Sequence, residues 1–219
     1  FDAKTNKWLD IDKVGPDIIF FTNPHKLTFP KYHIDLCKTK LTCYVPYAFV
    51  VISELWMHYG TEFHQLLWKY FAETKTHYKY SKRYSMSNNS NIIISGYPGL
   101  DSIFDQSFQP SSPWKIQTIE TKKIIWAPHH TIEGFDANLG YSNFIEHSEF
   151  MFDLLDIFQN IQISFKPHPI LRENLYKLDD WGKEKTDAYY LKWANHKRGQ
   201  LSEGDYIDVF FHSDAMIMD

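Results

Sequence analysis

Lys166 and His168 stand two residues apart, each followed by a proline, in the run Lys166-Pro167-His168-Pro169. The residues before them, Ile-Gln-Ile-Ser-Phe from 161 to 165, read as a buried strand. A proline stops such a strand because it withholds a ladder donor. A lysine supplies a point charge and an imidazole supplies a directional N–H. Fixed together at a strand end they suit an anion, and a diphosphate would engage both. A histidine that merely closes a turn is the competing reading.

Three further clusters stand at the ends of apolar runs: "TNPH" at 22–25, "GYPGLD" at 96–101 and "APHH" at 127–130. In open α/β sheets, ligands bind at the carboxyl ends of strands, so these are the places to look. His25 is a candidate general base or a turn histidine. His129 and His130 invite a metal reading. Neighbours on a strand point to opposite faces, however, and no Cys, Asp or Glu stands nearby at a familiar ligand spacing, so no metal is expected. One of the pair facing a cleft would serve as a phosphate donor or an acid–base group. The terminal "SDAMIMD" adds Ser213 and Asp214 before a strand and Asp219 after it. No Walker loop, GxGxxG or GxSxG occurs, which argues against a P-loop NTPase, a standard dinucleotide fold and a hydrolase elbow. No cofactor is expected.

The elements that must hold these residues are read from period and punctuation. "PDIIFF" (16–21) is a nearly all-apolar run and predicts a strand buried on both faces. "KLTCYVPY" (40–47), "NIIIS" (91–95), "KKIIWA" (122–127), "IQISF" (161–165) and the final "DAMIMD" predict further strands. Apolar residues at three- and four-residue spacing from Glu54 to about Tyr80 predict one long helix, and Phe144–Phe158 predicts another. The face with Trp56, Phe63, Trp68 and Phe71 reads as core, with an interfacial surface as the alternative. The polar stretch 181–204 predicts a helix and a loop, and 205–213 a short helix. Alternating strands and helices with apolar strands mean α/β with parallel sheets. "QSFQPSSPW" (106–114) has no period and reads as a linker between two such units.

The bulk numbers fit this. The chain has 219 residues, 43% hydrophobic and 23% charged, ordinary globular values. A net charge of −4 argues against a non-specific nucleic-acid surface. Two cysteines, Cys37 and Cys43, fit no zinc or redox spacing and favour a reducing compartment. No apolar run is long enough to span a bilayer.

Taken in order, "PDIIFFTNPH", "LTCYVPYAF", "IIISGYPGLD", "KIIWAPHHTI", "ISFKPHPIL" and "VFFHSDAMIMD" resemble the CDP-glycerol glycerophosphotransferase family of teichoic-acid polymerase type. The resemblance covers most of the chain from Pro16 onward and is most specific in the last two motifs. Met218 stands where that family usually has Thr, and "PHH" stands where many members have a Pro-Thr-Phe-Arg type segment.

The resemblance implies a GT-B-like fold: two Rossmann-like parallel-sheet units, both incomplete in this chain. Residues 1–107 would be the C-terminal part of an acceptor-side domain, 108–120 a linker, and 121–219 the first part of a CDP-donor-binding domain. It implies a transferase that moves glycerol phosphate, or a related polyol or sugar phosphate, from a CDP-activated donor such as CDP-glycerol. The acceptor would be a hydroxyl of a wall or capsule polymer or a lipid-linked acceptor. Lys166, His168, His130, Ser213, Asp214 and Asp219 would hold the donor diphosphate, with His25 and His129 in catalytic roles. It implies no nucleic-acid partner and a cytoplasmic protein peripheral to the membrane. The family's N-terminal His-Gly motif is not found, which makes a piece of a longer protein the expectation. The alternatives are a GT-B glycosyltransferase using a nucleotide sugar and a non-catalytic binding module.

Overall fold

The computed structural model describes residues 1–26, 29–51, 53–132 and 140–219. The chain divides into two compact units, Phe1–Phe104 and Asp105–Asp219. Each is an α/β unit around one four-stranded, all-parallel sheet. The fold is GT-B-like, with Rossmann-type units.

In the first unit, β1 (Ile18–Phe21), β2 (Leu41–Tyr44), β3 (Lys69–Ala72) and β4 (Ile92–Ile94) lie in sequence order. The helices are α1 (Ile11–Val14), α2 (Leu55–Tyr59), α3 (Glu62–Gln65), α4 (Lys75–Lys82) and α5 (Asp101–Phe104). The long helix expected over 54–80 is not formed. Its apolar spacing spans two short helices, a strand and a third helix. Gly60 ends α2, and a Cβ there would come within 2.9 Å of the Trp56 carbonyl oxygen. In Lys69–Ala72 burial alternates, with Tyr70 and Ala72 inward, which is the two-residue period of a strand. β1 also departs from expectation. It is a sheet edge, not a strand covered on both faces, and Ile18 and Phe20 are exposed.

In the second unit, β5 (Lys122–Ala127), β6 (Ile161–Phe165), β7 (Gly199–Leu201) and β8 (Ala215–Met218) take the order β7-β6-β5-β8. The helices are α6 (Phe144–His147), α7 (Phe150–Ile157), α8 (Leu171–Tyr176), α9 (Gly182–Asn195) and α10 (Ile207–Phe211). β7 was not expected, because Gly-Gln-Leu carries too little apolar pattern to read as a strand. The core joins Trp126, Phe144, Phe152, Phe165, Tyr189 and Trp193, with Phe165 stacked, tilted or edge-on against four of these rings at 5.0–6.0 Å.

Part of the segment expected as a linker is bound to this unit. Trp114 is buried, Ser111 bonds Asp208, and Gln162 binds the Ile116 backbone from both sides, at 3.0 and 3.1 Å. The Lys115 ammonium donates to the carbonyls of Ala194, His196 and Gly199, closing the C-terminal end of α9. No helix among the described residues is long and apolar enough to cross a membrane.

Candidate functional site

From β5 the chain steps one way through β6 and β7, then returns to place β8 on the other side of β5. The strand order therefore reverses at the β5/β8 pair, where open α/β sheets form their ligand crevice at the carboxyl ends. The segments leaving β5, β6 and β8 at that end are Pro128–His130, Lys166–Pro169 and Asp219.

Pairing between β5 and β6 does not stop with the strands. Lys166 N donates to Trp126 O (2.8 Å) and His168 N to Pro128 O (3.2 Å). The two proline-broken segments thus run side by side, and three imidazoles meet. Ring centroids lie 4.3 Å apart for His129 and His130, 4.2 Å for His130 and His168, and 5.4 Å for His129 and His168. Strand alternation would have sent His129 and His130 to opposite faces. Both lie beyond the last residue of β5, where that alternation no longer applies.

Backbone donors fix two of the rings. Ile170 N donates to His168 Nδ1 at 3.2 Å, and Thr131 N donates to His129 Nδ1 at 3.3 Å, with Thr131 Oγ1 2.8 Å from the same nitrogen. A nitrogen that accepts a bond carries no proton, so the neutral rings keep their N–H on Nε2. Asn174 of α8 donates to the His130 carbonyl at 2.9 Å. Asp219 accepts from His129 N at 2.8 Å and from Asn143 N at 3.1 Å, tying the segment after β5 to the approach to α6.

The electrostatics follow from partial burial. Burial first, then the neighbouring His130 and His129, push His168 down to about 4. Burial also lowers His130, with His129 adding to it, and lowers His129 against the opposing pull of Asp219. At neutral pH the cluster is a set of uncharged N–H donors. Lys166 is the adjacent cation. Its ammonium donates to Gly204 O at 3.0 Å, and burial lowers its pKa while Asp205 and Glu203 raise it. Among the described residues no group of three or more His, Cys, Asp or Glu side chains is arranged to hold a metal ion.

Of the residues singled out in the sequence, Lys166, His168, His129, His130 and Asp219 come together at this end of the second sheet. Ser213 and Asp214 do not. They precede β8 and stand at its opposite end, where Ser213 Oγ bonds the Val209 carbonyl. There Asp214 bonds Lys123 N at 2.8 Å and Lys122 Nζ at 3.0 Å, which accounts for both residues by strand entry alone. His25 belongs to the first unit, follows β1, and has the His58 ring at 6.5 Å. Thr131, Asn143 and Asn174 were not singled out. Thr131 could have been, since a hydroxyl two residues after a histidine reaches its Nδ1. Asn143 and Asn174 could not, because only the fold brings them near.

No protein-family profile matches the chain. No curated protein is similar to it in sequence. Solved structures are. The S. aureus MnaA–UDP complex aligns with a TM-score of 0.55 at 14% identity, over 95% of this chain and 55% of that one. A Listeria monocytogenes structure assigned as a UDP-N-acetylglucosamine 2-epimerase aligns with a TM-score of 0.57 at 14% identity, over 95% and 53%. The chain spans about half the length of either. At this identity the likeness establishes the fold.

These findings overturn the resemblance to CDP-glycerol glycerophosphotransferases. The glycerol-phosphate transferase activity, the CDP-glycerol donor and the polymer or lipid-linked acceptor go with it, and the glycosyltransferase alternative gains no support. The motifs that suggested the family are short. Prolines that stop parallel strands and a Ser-Asp strand entry serve any sheet of this type.

Proposed function

We propose that the second unit binds the diphosphate of a uridine nucleotide at the ends of β5 and β6, and that the protein is an enzyme acting on a UDP-sugar. The observation that carries this reading is the cluster of His129, His130 and His168 beside the point where strand order reverses. His129 and His168 keep Nε2–H as a donor, which suits phosphoryl oxygens without a cation at each contact. Lys166 adds one charge, and Asp219 holds the His129 backbone rather than the ligand. The fold it shares with the MnaA–UDP complex supports uridine as the base, and the Listeria structure makes epimerisation at the sugar's carbon 2 the first reaction to assay. The reading assigns no role to His25, Ser213 or Asp214.

Calorimetric titration tests it. UDP and UDP-N-acetylglucosamine should bind, UMP should bind at least tenfold more weakly, and His168→Ala should cost roughly 10- to 100-fold in UDP affinity, the worth of one hydrogen bond to a charged group. UDP binding no tighter than UMP, or unchanged by His168→Ala, would refute it.

A further inference from the structure

The diphosphate reading gives His129 and His168 their parts as donors and leaves His130 without one. The three rings differ in what their own nitrogens meet. His129 Nδ1 faces Thr131 N at 3.3 Å and Thr131 Oγ1 at 2.8 Å, and His168 Nδ1 faces Ile170 N at 3.2 Å. A second proton on either ring would point at a backbone N–H and break that bond. His130 is held by its backbone, through the Asn174 amide on its carbonyl at 2.9 Å. Among the described residues, none bonds a nitrogen of its ring, and the residue is only half-buried.

His130 is also the middle ring. Its centroid lies 4.3 Å from that of His129 and 4.2 Å from that of His168, while those two are 5.4 Å apart. A proton on His130 therefore sits against both neighbours and discourages a second one on either. On its own segment it faces His129. The segment after β6 brings His168 and Lys166, the latter offset by Asp205 and Glu203. The end of β8 brings Asp219, whose oxygens go to His129 N and Asn143 N. The approach to α6 brings Tyr141, with its ring 6.3 Å from that of His129. From α8 comes the neutral Asn174, and the Arg172 of that helix is paired with Asp187. In the free protein burial, and then His129, lower His130, so it is uncharged at neutral pH. A bound diphosphate reverses the balance, because an opposite charge within about 4–6 Å favours the ionised ring.

Resting on the diphosphate reading, we propose that His130 is the ring that takes up a proton when the diphosphate binds, so that the site holds its ligand with one imidazolium between two neutral donors and releases it as pH rises. The sign follows from linkage. A group that binds its proton more tightly in the complex makes affinity rise as pH falls through the bound value, and level off below the free one. His129 and His168 keep their backbone bonds and stay neutral throughout.

The probe is UDP-N-acetylglucosamine, whose esterified phosphates do not titrate between pH 6 and pH 8. Calorimetry at pH 7 in Pipes and in Tris, buffers of small and large ionisation enthalpy, counts the protons taken up. The unaltered chain should take up roughly half a proton or more and bind roughly fivefold or more tightly at pH 6 than at pH 8. His130→Gln should take up none, and its affinity should be flat over that range. Binding without proton uptake would overturn the proposal and leave the diphosphate reading standing. Uptake that survives His130→Gln would put the proton on another group and overturn it too. No binding at any pH would remove both. Should His130→Gln misfold, nitrogen NMR of the unaltered complex decides. His130 with both nitrogens protonated, beside His129 and His168 still carrying only Nε2–H, is the expected result; a neutral His130 would overturn the proposal.

Discussion

An imidazole whose Nδ1 accepts a backbone N–H is held in one tautomer, and both His129 and His168 meet that condition. Protonation would place a hydrogen where Thr131 N or Ile170 N already points, which agrees with the lowered His168, at about 4. His64 in the first unit is a second case. Its ring packs among Tyr44, Tyr59, Phe63 and Tyr70, its Nε2 has no partner, and burial takes it down to about 3. A histidine lowered by folding binds its proton more readily in the unfolded chain. Stability is therefore complete above the ordinary pKa of about 6.5 and is lost as pH falls toward the folded value. The slope is about 1.4 kcal/mol per pH unit per such group. Between pH 7 and pH 5, urea unfolding of the first unit should show a loss of about 2 kcal/mol from His64. His64→Phe should remove most of that loss. An equal loss in the variant would contradict this account of His64. Asp214 has the opposite sign. Lys123 N and then Lys122 hold it below the carboxylate range, so its support is present above that range and fades in acid. Asp214→Ala should lower the melting temperature at pH 7 and leave UDP affinity unchanged.

At the scale of elements, what could be read depended on how much apolar pattern a segment carries. "KKIIWA" and "IQISF" carry their large apolar residues close before a proline, and both are strands as expected. Gly199–Leu201 is a strand because β6 offers it a partner, with Gly199 opposite Ile163, and no local pattern reports that. Lys69–Ala72 was misread because Tyr70 and Phe71, adjacent in the strand, also fall three or four residues after Leu66 and Leu67. The polar supports of the histidine cluster, Asn143 and Asn174, were invisible because their partners, Asp219 and His130, are distant in sequence. The element most directly beneath the cluster is β6. Phe165 is fully buried and immediately precedes Lys166. Phe165→Ala should cost about 3–5 kcal/mol in denaturant unfolding, the usual cost of deleting a buried aromatic ring. That is a large share of a domain's 5–15 kcal/mol. A cost under about 1 kcal/mol would mean the core is not packed as described.

For the whole molecule, the fold class was legible because alternating helices and apolar strands admit few arrangements, and the two parallel sheets follow. The activity was not. A strand that ends in Lys-Pro-His-Pro gives chemistry at a strand end but not the ligand's identity, since fold and function separate in these superfolds. The central claim is that a diphosphate meets His129, His130 and His168. Histidine-selective nitrogen NMR reads all the imidazoles at once, with single His→Gln variants assigning the signals. The account predicts that UDP shifts the resonances of these three and leaves His25, His58 and His64 in place, while UMP does much less. Shifts confined to the first unit, or none at saturating UDP, would contradict it.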